Sequence, residues 1–282
     1  MKNKLFYTWD IIKTKNKSSI INIIPYRILV ENNDNISNKK DSINNESIIN
    51  KIVKLKTIST KFNLFLDKNL STKELIYLTT LLSFIKQNIV YIYFTPDSIN
   101  KEIIKLLLDM GIKRIVLPLD SVNPKTYNML WKSKDNKFDS FEHIWQMIDL
   151  ISYEYKDQIE LFFSCTISRL NIHEIISTFG WCANFNHAKI KFRPIQPEIS
   201  EMNLDWYNNQ KYKIFWPTKI DELNNTLDYL STKITEHKSI CLNNSNDLLD
   251  MKTYFSDQKK WILNNRIAKK NIKFLDGSGK IF

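Results

Sequence analysis

The run from Phe62 to Ser121 decides the fold. It reads FNLFLDKN (62–69), STKELIYLTTLLSFIKQN (71–88), IVYIYFTPDS (89–98), INKEIIKLLLDMG (99–111) and IKRIVLPLDS (112–121). The first, third and fifth pieces are short apolar runs with the character of buried strands. The second and fourth carry apolar residues at helical spacing. Strand, helix, strand, helix, strand in this order predicts consecutive right-handed β-α-β units and hence a parallel sheet or barrel.

The rhythm continues on both sides. Upstream, Pro25 introduces YRILVE (26–31), a β-branched run that reads as a strand. A polar Asn-, Asp- and Ser-rich loop follows, then NESIINKIVKLKTIS (45–59), with Ile48, Ile49, Ile52, Val53 and Leu55 near one side of a helix. Downstream, Asn123 and Pro124 are suited to cap and start a short helix. A longer helix is predicted over 141–155, a strand over 159–167, a helix capped by Asn171, and a strand over 189–194. Six strands are therefore expected, at 26–31, 62–66, 89–95, 114–119, 159–167 and 189–194, all but the last followed by a helix. The fold class is α/β: a six-stranded partial (β/α)6 barrel with a helical C-terminal extension. A closed eight-stranded barrel needs two more units, and the remainder does not supply them. Residues 1–24 read as an edge strand or a cap. Residues 196–218 are irregular and aromatic, Asp221–Glu236 reads as a helix, and KFLDGSGKIF (273–282) reads as two short strands about a turn. The domain organisation is 1–24, 25–197 and 198–282.

Composition removes several function classes. The chain of 282 residues is 43% hydrophobic, enough for a large core, and carries a formal charge of +11. Lys is scattered among Asn and Ile rather than gathered in basic runs, which argues for compositional drift and against nucleic-acid binding. Cys165, Cys182 and Cys241 are widely spaced and form no Cys-x-x-Cys pair, so the expected compartment is the reducing cytoplasm. The N-terminus does not read as a signal peptide, and no stretch of about 18 apolar residues spans a membrane. There are only four glycines, the first at Gly111. A phosphate-cradling loop needs glycines for close backbone approach, so no Gly-rich nucleotide loop is expected.

Several segments in order resemble the radical SAM superfamily over about residues 25–197. IKRIVLPLDS is similar to its fourth strand, which typically ends in Ser-Leu-Asp-Ser. VNPKTYNMLWK followed by FDSFEHIWQMIDLI is similar to the segment and helix after that strand. IELFFSCTISRLNIHEI is similar to the fifth strand and its Arg-x-Asn-x-x-Glu-Ile continuation, and KIKFRPIQP to the sixth. KFLDGSGKIF resembles the start of a SPASM-type extension, whose Pro-Cys would follow where this sequence stops at Phe282. That stop implies either a decayed extension or a truncated gene.

The resemblance implies a barrel that binds S-adenosylmethionine beside a [4Fe–4S] cluster held by Cys-x3-Cys-x2-Cys after the first strand. Here the loop Glu31–Ser42 has no cysteine. The Gly-Gly-Glu-Pro of the second strand is replaced by Asp67-Lys68-Asn69. The Thr-Asn-Gly of the third is Thr95-Pro96-Asp97, and the serine of the fourth is Pro118. Four positions of one pocket have changed together.

The candidate ligand-binding residues lie at strand ends, where β/α barrels place their sites. Asp67, Asp97 and Asp120 either bind a cation or a substrate amine, or end their strands by starting turns and capping helices. Arg169 and Arg193 either hold a carboxylate or phosphate or form structural ion pairs. In the family the region of Arg169 helps to bind S-adenosylmethionine. His143, His173, His187 and His237 show no metal spacing. Trp206, Tyr207, Phe215 and Trp216 read as an aromatic lid. The expected function is that of a degenerate radical SAM-like protein without a cluster or other cofactor, binding or scaffolding a peptide or an active radical SAM relative. Two alternatives stand. One is a radical SAM enzyme, or a fragment of one, whose ligands come from elsewhere. The other is a cluster-independent enzyme using the Asp120, Arg169 and Arg193 end of the barrel.

Overall fold

The structure is a computed structural model and describes residues 20–23, 61–66, 69–131, 138–185, 187–196, 205–258, 261 and 273–274. Strands β1 (Ile20–Ile23), β2 (Lys61–Leu66), β3 (Ile89–Phe94), β4 (Arg114–Pro118), β5 (Glu160–Ile167), β6 (Ala188–Pro194) and β7 (Lys273–Phe274) are formed. Helices α1 (Thr72–Ile85), α2 (Lys101–Asp109), α3 (Pro124–Leu130), α4 (Ser140–Glu154), α5 (Ile175–Phe185), α6 (Gln210–Lys213), α7 (Ile220–Glu236) and α8 (Ser245–Ser256) accompany them. The parallel β-α-β order is present, and the fold is α/β. Five of the six expected strands, β2 to β6, form at the expected places. The expected first strand, 26–31, and the helix over 45–59 lie outside the described residues. The count is corrected accordingly: the strand paired in parallel with β2 is β1, in register Ile20 with Lys61 and Ile23 with Leu64. On its other side β1 pairs in parallel with β7, Ile21 with Lys273 and Asn22 with Phe274. Among the described residues, no helix is long and apolar enough to cross a membrane.

The chain forms two compact units, and the division falls within β4. One unit holds Lys15–Val116, Tyr153–Glu160 and Asn271–Phe282. Its strands lie in the order β4-β3-β2-β1-β7, with parallel pairing throughout. Helix α1 begins at a reciprocal cap. Ser71 Oγ accepts from the Glu74 amide at 3.4 Å, and Glu74 Oε2 accepts from the Ser71 amide at 2.8 Å. Tyr77, Leu78, Leu81, Leu82 and Ile85 form its buried stripe. Helix α2 closes on Gly111 at φ +76°, a left-handed conformation that costs glycine little. The Gly111 amide donates to Leu108 O and the Ile112 amide to Leu107 O, each at 2.8 Å, so two helix-end carbonyls are satisfied.

The other unit holds Leu117–Ser152 and Leu161–Lys270. Strands β5 and β6 pair in parallel from Leu161 with Ala188 to Ile167 with Pro194. The Leu119 amide donates to Ser164 O at 2.9 Å and ties the end of β4 to β5. Alternation along β5 separates two faces. Phe163 and Cys165 point towards the helices, and Phe163 meets Trp181 and Phe185 of α5 at 5.7 and 5.8 Å between ring centroids. Ser164 and Thr166 face the other way, in register with Lys191 and Arg193. The free edge of β6 is covered by residues 240–243. The Ile190 amide donates to Ile240 O and the Leu242 amide to Ile190 O, both at 2.8 Å. Asn243 then imitates a strand residue: its Oδ1 accepts from the Phe192 amide at 2.6 Å and its Nδ2 donates to Phe192 O at 3.1 Å. An exposed strand edge invites pairing with another chain, and this segment blunts it. Three of the four aromatic residues expected as a lid come together: Trp216 meets Trp206 at 5.3 Å and Tyr207 at 4.9 Å, and it also meets Phe255 of α8 at 5.2 Å.

Candidate functional site at the ends of β4, β5 and β6

Asp120 follows β4 and is 1% exposed. Its two carboxylate oxygens are both taken. One accepts from the Thr166 amide of β5, the other from Trp131 Nε1 at 2.7 Å. Burial pushes its carboxyl up to about 6 from an ordinary 3.8; the bonds from Thr166 and Trp131 and the charge of nearby Arg193 hold it down only in part. Asp120 thus joins the end of β4 to β5 and to the residue that closes α3.

The Asp120 carbonyl is satisfied by Asn171. Its Nδ2 donates to Asp120 O at 2.7 Å and to Thr166 O at 2.8 Å, while its Oδ1 accepts from the Ser168 amide at 2.8 Å. Asn171 was expected to cap the following helix. It does occupy the N-cap position of the 3-10 turn Ile172–Glu174, but its side chain makes no capping bond. The correction has a physical cause. Two strand ends leave buried carbonyls that need donors, and the Asn171 side chain is fully buried among them. A second carboxylate lies beside this knot. Glu174 accepts from Ser121 Oγ and from Thr126 Oγ1, the latter at 2.7 Å. It fastens the loop after β4 to the turn that leads into α5.

The other expected site residues separate. Arg193 is 2% exposed, on the same face as Thr166, and is brought near Asp120. Arg169 is exposed one step beyond Ser168, its amide donating to Phe215 O at 2.7 Å. Its side chain lines a pocket of about 190 Å³ with His173, Lys219 and Glu222, which sequence reading did not join. Asp97 belongs to the other unit, is exposed, and accepts from Thr95 Oγ1 at 2.6 Å within the turn after β3. Asp67 lies outside the described residues.

The donor set does not fit an iron–sulfur cluster. All three cysteines of the sequence are described and buried: Cys165 on β5, Cys182 on α5, and Cys241 beside Ile190. A cluster is held by thiolates. Burial, with smaller effects from neighbouring groups, raises the Cys165 thiol well above its ordinary range. Burial likewise pushes Cys182 and Cys241 up to about 12. Among the described residues, no group of three His, Cys, Asp or Glu could hold a metal ion.

No family model matches the chain. No curated protein matches it either. Among solved structures, coproporphyrinogen III oxidase (HemN) from Escherichia coli, described as a radical SAM enzyme, is similar over 81% of this chain and 55% of its own. The identity is 10% and the TM-score 0.47. HydG, described as a maturase of the [FeFe]-hydrogenase, is similar over 78% of this chain and 56% of its own, at 10% identity and a TM-score of 0.44. The chain spans about half the length of these solved structures.

Proposed function

We propose that this chain is a degenerate radical SAM-like protein that carries no iron–sulfur cluster of its own and acts as a binding or scaffolding partner. The observation that carries the reading is the placement of its thiols. The only cysteines in the sequence are Cys165, Cys182 and Cys241, each buried, on β5, on α5 and beside Ile190 respectively. The loop Glu31–Ser42, which the sequence resemblance makes the cluster loop, has none. A second support is that Asp120, the most promising carboxylate of the strand ends, has both oxygens engaged by the protein. The partner proposed is a peptide or an active radical SAM relative, in the cytoplasm.

Anaerobic expression followed by iron and sulfide analysis tests this. The expected result is substoichiometric iron and no absorbance band near roughly 400 nm. Stoichiometric iron and sulfide would sink the reading in favour of an enzyme with ligands supplied in another way. Calorimetric titration with S-adenosylmethionine is the companion measurement, with no binding expected. Tight binding without iron would favour cluster-independent chemistry.

A further inference from the structure

We infer that the pocket beyond the end of β5 binds a small oxyanion, the carboxylate or phosphate group of a partner or metabolite. The inference rests on the reading of the chain as a binding protein and names the chemistry that it recognises. The pocket holds about 190 Å³ between Arg169, His173, Thr218, Lys219 and Glu222, with Ile172 on its apolar side. Sites for whole drug-sized ligands run from about 300 Å³ upwards. This one has room for a charged group and its nearest atoms, not for a large cofactor.

The charges are arranged for an anion. His173 Nδ1 donates to Glu222 Oε1 at 2.7 Å, and Lys219 Nζ lies 3.5 Å from Glu222 Oε2. The single carboxylate of the pocket is therefore already matched from two sides. Among the described residues, the Arg169 guanidinium has no carboxylate partner. Arg169 and Lys219 against Glu222 leave one positive charge in excess, before any protonation of His173. A guanidinium presents parallel donors that match the oxygens of a carboxylate or phosphate. The Arg169 backbone is fixed by its bond to Phe215 O, so the start of that side chain is anchored to the segment that leads into Thr218 and Lys219. The pocket stands open: the side chains of His173 and Lys219 are 66% and 78% exposed. Solvent screening then predicts weak binding.

The test is a titration of the full chain, labelled with nitrogen-15, with inorganic phosphate and separately with acetate. Sodium chloride holds the ionic strength constant. Saturable shifts of the Arg169, His173, Thr218 and Lys219 amides are expected with at least one of the two ions. Saturation by phosphate alone identifies a phosphate group as the natural ligand chemistry; saturation by acetate identifies a carboxylate. Arg169→Ala is expected to weaken binding at least tenfold. Glu222→Gln is expected to tighten it several-fold, because it removes the repelling charge. Shifts that follow ionic strength in chloride, an adventitious ion only, overturn the inference. So does unchanged affinity in Arg169→Ala. Stoichiometric iron in the purified protein would sink the proposed function and leave these affinities to be read on their own; absent saturation sinks the pocket and leaves the iron result standing.

Discussion

Asn171 Nδ2 donates to the Asp120 carbonyl oxygen at 2.7 Å across a sequence separation of 51 residues. The same amide reaches Thr166 O, and Asn171 Oδ1 takes the Ser168 amide. One fully buried side chain thus settles three backbone groups where β4 and β5 end. Removing it strands groups that no water reaches, at about 1–3 kcal/mol each. Asn171→Ala is expected to lower unfolding free energy by at least about 2 kcal/mol. Asn171→Asp is expected to cost more, since a carboxylate would face two carbonyl oxygens. Urea unfolding followed by circular dichroism checks both. A loss below about 0.5 kcal/mol for the alanine variant would show that the knot does not hold the strand ends together.

The strands were legible because apolar runs with helical stretches between them admit few arrangements. The capped start at Asn123 was legible from local rules, and the caps at Ser71 and Asn244 that the structure adds follow the same rules. Asn171 was misread because the same asparagine chemistry serves a local cap or a distant carbonyl, and only the fold decides. Asp120 was a candidate ligand residue from its place at a strand end, but its partner Trp131 sits at the end of a helix where no pattern points to it. The pocket of Arg169, His173 and Glu222 joins a strand end to the start of α7. Periodicity within each segment says nothing about such a junction.

Asp120 also makes stability depend on pH. Its folded-state pKa of about 6 lies above the ordinary 3.8, chiefly through burial. The folded state therefore holds its proton more tightly than the unfolded chain. The contribution is fully present below pH 3.8 and is lost as pH rises through 6, by roughly 3 kcal/mol in all. Asp120→Asn removes this dependence. The stability of the wild type relative to that variant is expected to fall between pH 4 and pH 7, whatever the offset between them. A flat difference across that range contradicts the assignment. Carbon-13 titration of the Asp120 carboxyl gives an independent reading if the variant folds poorly.

The cysteines offer a third prediction. Cys182 and Cys241 at about 12 have a thiolate fraction of about one in ten thousand at pH 8, and burial raises the Cys165 thiol well above its ordinary range. Burial adds a steric barrier, since none of the three is more than 7% exposed. The native protein is expected to react with an aromatic disulfide reagent only at the rate of its opening, and all three thiols at once in urea. One fast equivalent in the native state would mark an accessible, low-pKa thiol. It would also reopen the case for a thiolate site.

Two buried hydroxyls make the last prediction. Ser164 Oγ on β5 and Thr178 Oγ1 on α5 are 2% and 0% exposed at the residue level and have no hydrogen-bond partner among the described residues. A buried hydroxyl without a partner opposes folding by about 1–3 kcal/mol. Ser164→Ala and Thr178→Val take away the desolvated group with little change of shape. Each is expected to leave stability unchanged or to raise it by about 1 kcal/mol, against the general trend that core substitutions destabilise. The two sites differ in what surrounds them. Thr178 lies beside Phe179 in the helical layer, whereas Ser164 shares its face with Thr166, Lys191 and Arg193. If Thr178→Val stabilises and Ser164→Ala costs more than about 1 kcal/mol, the Ser164 hydroxyl is bonded to water on the cationic face of β5 and β6, and that face is wet.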